Sequence, residues 1–148
     1  MDEIVFLGTG GARFVVLKQI RASGGIWLNL GGRNFLVDPG PGSLVKCRSK
    51  REKLDPLTLD GILLSHRHLD HSADINVMIE AMSSGGFKRR GAVFAPKDAI
   101  EVDPVILKYL RSYPDKIIIL EEGGEYELEG VKVRTPVRHV HGSVETLS

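Results

Sequence analysis

The sequence predicts a mixed α/β sandwich formed as one domain over residues 1–148. Short apolar runs alternate with turns at the start of the chain and with helical segments later, which is typical of helices packed on a sheet. The chain has 148 residues, of which 42% are hydrophobic and 26% charged, an ordinary composition for one globular domain. We identify no internal repeat and no linker, so a single folded unit is expected.

The first part of the chain predicts three strands and a helix. Gly31 to Asn34 form a tight turn between the second and third strands, and this hairpin brings Asp38 to a strand end. Ser43 is the expected cap of the helix that follows. The predicted strands are 3–7, 25–30 and 35–38, and the predicted helix is 43–53.

The second part predicts alternating strands and helices, then strands alone. Ile75, Met78, Ile79 and Met82 recur at a helical period. A second helix is expected from Asp103, with aspartate as cap and proline at the first helical position. The predicted strands are 61–65, 92–96, 116–120, 125–128 and 131–137, and the predicted helices are 72–82 and 103–111.

Composition and charge exclude several classes of protein. The formal net charge is +1, so no overall field attracts nucleic acid, and aromatic residues make up only 6% of the chain. The single cysteine forms no disulfide framework and fits a reducing compartment. No apolar run reaches the ~18 residues of a membrane span, and the acidic start does not resemble a signal peptide. A cytoplasmic protein without a membrane partner is expected.

The segment "LLSHRHLDHSAD", residues 63–74, carries three of the five histidines. Imidazoles and a carboxylate placed together need counter-charge or a Lewis acid once they leave water. A divalent metal supplies it, and these ligand types suit zinc, with manganese or iron as alternatives. Cys47 lies far away in sequence, which excludes a thiolate-rich structural zinc site.

The position of this segment predicts its geometry. It follows a strand and begins a helix, so His66 and His68 can point the same way while Asp70 and His71 turn towards the same space. Four such ligands could serve one metal or two adjacent ones. A polar turn at a strand end without metal is the alternative.

The two remaining histidines, His139 and His141, lie two apart on a predicted strand and point to one face. One could bind the metal directly while the other lies beside the ligands without binding it. A polar strand end without metal is again the alternative. Asp38, at its own strand end, is expected to accept a hydrogen bond from a liganding histidine and fix its tautomer. "DPGPGS" could otherwise be a simple turn.

These motifs resemble the metallo-β-lactamase superfamily of metal-dependent hydrolases. "HRHLDH" fits its H-x-H-x-D-H motif, and "NFLVDPGPGS" is similar to its early strand-and-glycine motif. "EIVFLGTGG" resembles the start of the phosphodiesterase and transfer-RNA-processing nuclease branch. "TPVRHVHGSVETLS" is similar to the region that supplies a third metal-binding histidine.

The resemblance implies an αββα sandwich and a set of residue roles. His66, His68 and His141 would hold a first metal, with His139 as the alternative to His141. Asp70 and His71 would hold a second metal, and Asp70 would also be catalytic by orienting the attacking water. The implied reaction is hydrolysis by a metal-bound hydroxide, since zinc lowers the pKa of bound water to about 7.

The resemblance also implies that only the N-terminal half of the sandwich is present, because the chain stops after the third histidine motif. A phosphodiester substrate is favoured over a lactone, lactam or thioester, a small-molecule substrate is expected, and nucleic acid stays open as a partner. The alternative is a non-catalytic metal-binding half-domain. An unpaired half should expose apolar surface, so a homodimer is expected.

We predict that residues 63–74 bind metal, because four ligand types converge in one strand-to-helix segment. Replacing His66 and His68 together with alanine should abolish binding, measured as metal content of the purified chain. Circular dichroism controls for the fold. Unchanged metal stoichiometry in a folded double variant would contradict the assignment.

Overall fold

The structure is a computed structural model that describes residues 1–18, 20–49, 53–141 and 143–147. Side chains at positions 13 and 139–141 lie outside this description. No helix among the described residues has the length and apolar character needed to cross a membrane.

A mixed six-stranded sheet forms the centre of the fold. Its strands lie in sequence order; the first three pair antiparallel, and the last four pair parallel. Parallel strands bring their carboxyl ends to one edge, so the segments that follow β3, β4 and β5 meet there. The strands are β1 Glu3–Phe6, β2 Ile26–Leu30, β3 Arg33–Val37, β4 Leu59–Leu63, β5 Ala92–Pro96 and β6 Lys116–Leu120.

Helices cover one face of this sheet. The face of α4 that the sequence predicts is fully buried, and it packs on β-strand residues such as Leu36, Ile62 and Val93. The α-helices are α1 Arg13–Leu17, α2 Ser43–Cys47, α3 Leu69–Ser72 and α4 Ile75–Met82. Single turns complete this layer: 3-10 turns at Pro56–Thr58 and Lys108–Ser112 and a π turn at Asp98–Val102.

Two hairpins cover part of the other face. A second apolar cluster lies beneath them and includes Phe94, Leu120 and Leu147. The rings of Phe94 and Tyr126 meet edge to face, with centroids 6.2 Å apart. The hairpins are formed by β7 Gly124–Leu128 with β8 Val131–Thr135, and by β9 Arg138–His141 with β10 Val144–Leu147.

The helix predicted over 103–111 is wrong. The side chain of Asn76 on α4 donates to the carbonyl of Val105 at 2.8 Å and accepts from the amide of Leu107 at 3.0 Å. These bonds hold the backbone in an irregular path, because they occupy groups that a helix would use. Only the short 3-10 turn at Lys108–Ser112 forms.

Other bounds also differ from prediction, among them the strand predicted over 61–65, which is β4 Leu59–Leu63. The helix predicted over 72–82 begins only at Ile75, and the short α3 precedes it, since the amide of Asp74 donates to Pro39 rather than within a helix. The helix predicted over 43–53 ends at Cys47, begins after Gly42 rather than at a Ser43 cap, and has residues 50–52 outside the description. Helix α1 was not predicted, because "RFVVL" has no helical period and is rich in strand-forming valine.

The hairpins leave the edge of the sheet at β1 uncovered on their side. Val5 packs against the helix-covered core, so its neighbours Ile4 and Phe6 point to the opposite face. Their exposed fractions are 59% and 63%. Adjacent exposed apolar side chains on an edge strand favour association.

We expect the 148-residue chain to self-associate or bind a hydrophobic dye through this face. Phe6→Lys should shift light scattering towards the monomer and lower dye fluorescence, because a charge on an edge strand opposes pairing. Phe87→Lys is the matched control, since Phe87 is 96% exposed outside the sheet. A monomeric parent chain, or equal effects of both variants, would contradict this assignment.

Candidate metal centre

The histidine segment lies at the carboxyl edge of the sheet, directly after β4. It packs against the turn that follows β3, and Gly40 allows this contact. A Cβ atom at position 40 would lie 2.1 Å from the carbonyl oxygen of Asp70, so no other residue type fits there without a shift. The segment "DPGPGS" therefore has a spatial role beyond that of a simple turn.

The Asp38 carboxylate connects these two segments. Its Oδ1 accepts from the amide of Ser65 at 2.7 Å, and its Oδ2 accepts from the Ser65 hydroxyl at 2.7 Å and from His71 Nδ1 at 2.9 Å. The backbone of Asp38 has a φ of 50°, in the left-handed region that few residue types other than glycine adopt. The unusual backbone conformation thus occurs at a residue whose side chain accepts three hydrogen bonds.

The tautomer of His66 follows from this network. The Ser65 hydroxyl has one proton, which it donates to Asp38, so at the 2.9 Å contact it accepts from His66 Nδ1. His66 thus carries its proton on Nδ1 and presents an unprotonated Nε2. Burial, followed by the nearby His71 ring, lowers the pKa of His66 to about 4, so the ring is neutral at neutral pH. Neutral imidazole is the form that binds metal.

His71 has the opposite electrostatic environment. Its hydrogen bond to the Asp38 carboxylate raises the pKa of the ring above its ordinary value. With Nδ1 donating to Asp38, its Nε2 lies 3.6 Å from Asp70 Oδ2. A carboxylate that accepts from one nitrogen of a histidine fixes the orientation of the other, which is how metal-binding histidines are commonly held.

The structure brings the four predicted loop residues together. Ring centroids lie 4.9 Å apart for His66 and His68 and 4.1 Å apart for His66 and His71. Asp70 lies in the first turn of α3, after His68 at the cap position, so it does not serve as that helix's N-cap. The donor types and the His66 tautomer fit a divalent metal. Among the described residues, no group of three or more histidine, cysteine, aspartate or glutamate side chains is arranged so that it could hold a metal ion.

The predicted further donors, His141 and the alternative His139, have side chains outside the described part of the structure. Their backbone lies in β9, where His141 pairs with Val144 and His139 with Thr146 of β10. β10 is tied to the histidine segment by the amide of Leu147, which donates to the carbonyl of Ser65 at 3.1 Å. The strand that carries these histidines is thus held at the same edge.

A cavity of about 1010 Å³ opens beside the histidine segment. Its polar wall includes His66, His68 and Asp70, and its apolar wall includes Phe14 and Leu17 of α1. Phe14 is 73% exposed. The apolar side of the cavity is not predicted from the sequence, because helix α1, which provides Phe14 and Leu17, has no helical sequence pattern.

Other polar residues have simpler roles. Among the described residues, Arg67 is the only lysine or arginine that lines the cavity, so the basic residues of the sequence segments 46–53 and 88–90 do not line it there. Arg48 pairs with Asp55 at 3.1 Å, and Arg90 pairs with Asp60 at 3.2 Å. Lys50 and Arg51 lie outside the described residues. Burial raises the pKa of Cys47 to about 11, which keeps this thiol protonated at neutral pH.

Comparison with known proteins identifies the family. The family model described as "Beta-lactamase superfamily domain" matches residues 33–147, which include the Asp38 turn, the histidine segment and β9. The chain belongs to the beta-lactamase superfamily. The resemblance predicted from the histidine motif is thereby confirmed.

Two curated relatives of this superfamily chain come from archaea. It is 32% identical over 142 residues to the uncharacterized protein MJ1374 of Methanocaldococcus jannaschii, covering 93% of this chain and 53% of that protein. It is 32% identical over 132 residues to a ribonuclease Z of Thermococcus sibiricus, covering 87% of this chain and 40% of that enzyme. The chain therefore spans about half, or less, of the length of these relatives.

Solved structures confirm the fold class of this superfamily chain. The metallo-beta-lactamase fold protein YhfI of Bacillus subtilis superposes with a TM-score of 0.72 at 20% identity, over 99% of this chain and 56% of that chain. A diphosphatase of the PhnP family superposes with a TM-score of 0.66 at 20% identity, over 99% and 61%. The chain therefore has the metallo-β-lactamase-type fold and corresponds to part of those longer chains.

We predict that Asp38→Asn lowers the pKa of His71, because asparagine replaces the carboxylate that stabilises the charged ring. NMR titration of the ring signals in the metal-free chain measures this shift. In the parent chain the raised pKa stabilises the fold below about pH 6.5, and this contribution is lost as the pH rises through the folded-state value. Asp74→Asn, which alters a carboxylate bound to the Leu44 amide, is the control. An unchanged His71 titration in Asp38→Asn would contradict the assigned hydrogen bond.

Proposed function

We propose that this chain contributes the metal-binding edge of a metal-dependent hydrolase that acts on a phosphodiester. The observation that carries the proposal is the Asp38 network, which fixes the His66 tautomer and orients His71 beside Asp70. A partly buried, hydrogen-bonded arrangement of charged and polar groups is costly to order unless its orientation is used. Membership of the beta-lactamase superfamily supports metal-assisted hydrolysis as that use.

The roles follow the donor chemistry of the segment. We assign His66, His68 and His141 to one divalent metal and Asp70 with His71 to a second, with zinc favoured over manganese or iron and His139 as the alternative ligand. A bound divalent metal would lower the pKa of water and polarise the phosphorus–oxygen bonds. Asp70 would orient the attacking water, and Asp38 would hold His71 in its binding orientation.

The substrate class rests on two lines of support. A relative of similar sequence is named ribonuclease Z, and a solved structure of similar fold is named a diphosphatase. The cavity is lined both by polar His68 and Asp70 and by apolar Phe14 and Leu17, which suits a charged group attached to an organic body. We therefore favour a phosphodiester over a lactone, lactam or thioester, and RNA is included in that class.

A non-catalytic metal-binding half-domain is the second candidate. The chain spans 53% of one relative and 40% of another, and among its described residues no group of three or more histidine, cysteine, aspartate or glutamate side chains is arranged to hold a metal ion. Self-association through the β1 face would allow a homodimer to complete the sandwich. Zinc binding without hydrolysis would favour this candidate.

The proposal is tested with bis(p-nitrophenyl) phosphate and added zinc or manganese. We expect hydrolysis that Asp70→Asn lowers by about 10²–10⁴-fold, because the variant loses a charge that orients water. Asp74→Asn is the matched control, a nearby aspartate with no assigned metal role, and should change the rate little. Equal rates for the parent chain and Asp70→Asn would overturn the catalytic assignment.

A further inference from the structure

Arg67 links the histidine segment to a distant part of the chain. It lies between His66 and His68 in sequence, yet its side chain extends to the segment that follows β5. Its Nε lies 3.2 Å from Asp98 Oδ2, and its Nη1 lies 2.5 Å from Asp103 Oδ2. The side chains of Arg67 and Asp98 are 19% and 13% exposed, so this ion pair is largely withdrawn from water.

Asp98 has a second connection, to the strand pair that carries the other histidines. The same Oδ2 accepts from the backbone amide of Glu145 in β10 at 3.0 Å. β10 pairs with β9, placing His139 and His141 opposite Thr146 and Val144. One carboxylate oxygen therefore joins the histidine segment on one side to the strand pair of the remaining histidines on the other.

We propose that the Arg67–Asp98 pair is a clamp that sets the position of β9–β10 against the histidine segment, making Asp98 a positioning residue of the metal centre. The metal part of this inference rests on the proposed function. The positional part rests on the contacts alone. The Leu147–Ser65 backbone hydrogen bond is a second link between β10 and the histidine segment.

Electrostatics favour a rigid clamp. A charge-assisted hydrogen bond is shorter and stronger than a neutral one, and partial burial reduces screening by water. Asp98 Oδ1 is buried and has no hydrogen-bond partner among the described residues, so the carboxylate depends on Arg67 for its counter-charge. Removal of Arg67 would leave the Asp98 carboxylate without its counter-charge in a site of low exposure, whereas Arg67 keeps a second partner in Asp103.

Asp103 provides an internal comparison. It pairs with the same guanidinium, but its side chain is 69% exposed, and within the described part of the chain no hydrogen bond joins it to β10. Loss of Asp103 removes one negative charge near Arg67 and leaves the Asp98–Glu145 bond intact. Comparison of Asp98 and Asp103 variants thus separates the effect of losing the hydrogen bond to β10 from the effect of losing an ion pair with Arg67.

The first measurement is amide hydrogen exchange of β9 and β10 in the metal-free chain. We expect Asp98→Ala to raise exchange in both strands, and Asp103→Ala to leave it within twofold of the parent chain. Asp98→Asn should lie between them, because its amide oxygen still accepts from Glu145 but no longer balances Arg67. This milder variant keeps the test decisive if Asp98→Ala does not fold.

The second measurement is zinc affinity, by competition with a chromophoric chelator. We expect Asp98→Ala to weaken binding about 10- to 100-fold, the usual effect of a residue that supports a ligand, and Asp103→Ala to change it little. Unchanged amide exchange of β9 and β10 in both Asp98 variants would overturn the clamp. Altered amide exchange with unchanged zinc affinity would overturn the role of Asp98 in the metal centre. If the parent chain binds no zinc, the proposed function and the metal role both fail, while the exchange data still decide the clamp.

Discussion

The carboxylate of Asp38 is the interaction on which the candidate site depends. It accepts three hydrogen bonds from Ser65 and His71, and so joins the end of β3 to the segment that follows β4. A carboxylate at reduced exposure is stable only when its oxygens are paired, which makes these bonds obligatory. The left-handed backbone of Asp38 and the absence of a Cβ at Gly40 are the local conditions that allow this packing. The network then determines which nitrogen of His66 carries the proton, because a carboxylate cannot donate.

The sheet topology explains why so many of these groups meet. Parallel pairing of β3, β4 and β5 brings three following segments to one edge, with Asp38, the histidine segment and Asp98 on them in that order. The core beneath is apolar, with Leu36, Ile62 and Val93 against α4. Hydrophobic burial supplies most of the stability, while the polar edge contributes orientation. The sheet therefore provides stability through its apolar face and orientation of the site through its polar carboxyl edge.

Much of this arrangement could be predicted from sequence because the signals are local. The histidine motif, the strand before it and the buried stripe of α4 are each read within about ten residues. The buried stripe lies where it was predicted, and the strand lies two residues earlier than predicted, at Leu59–Leu63. The failures involve distant partners. The helix predicted from Asp103 does not form, because the side chain of Asn76 hydrogen-bonds to the backbone of Val105 and Leu107, about 30 positions away. Helix α1 has no periodic signal, and the Arg67–Asp98 pair joins residues 31 positions apart that no motif connects.

The site contains two kinds of residue: candidate metal ligands, and residues that orient those ligands through hydrogen bonds. His66, with a neutral ring and an unprotonated Nε2, has the chemistry of a ligand, whereas Ser65 and Asp38 hydrogen-bond to His66 and His71 and act through them. Spacing in the sequence identifies the first kind, since ligands recur in a compact motif. The second kind is identified only by the fold, because a hydrogen-bond partner can come from any strand that ends at the same edge. A motif therefore defines the chemistry of this site, and the parallel strand order of the sheet defines the residues that orient it.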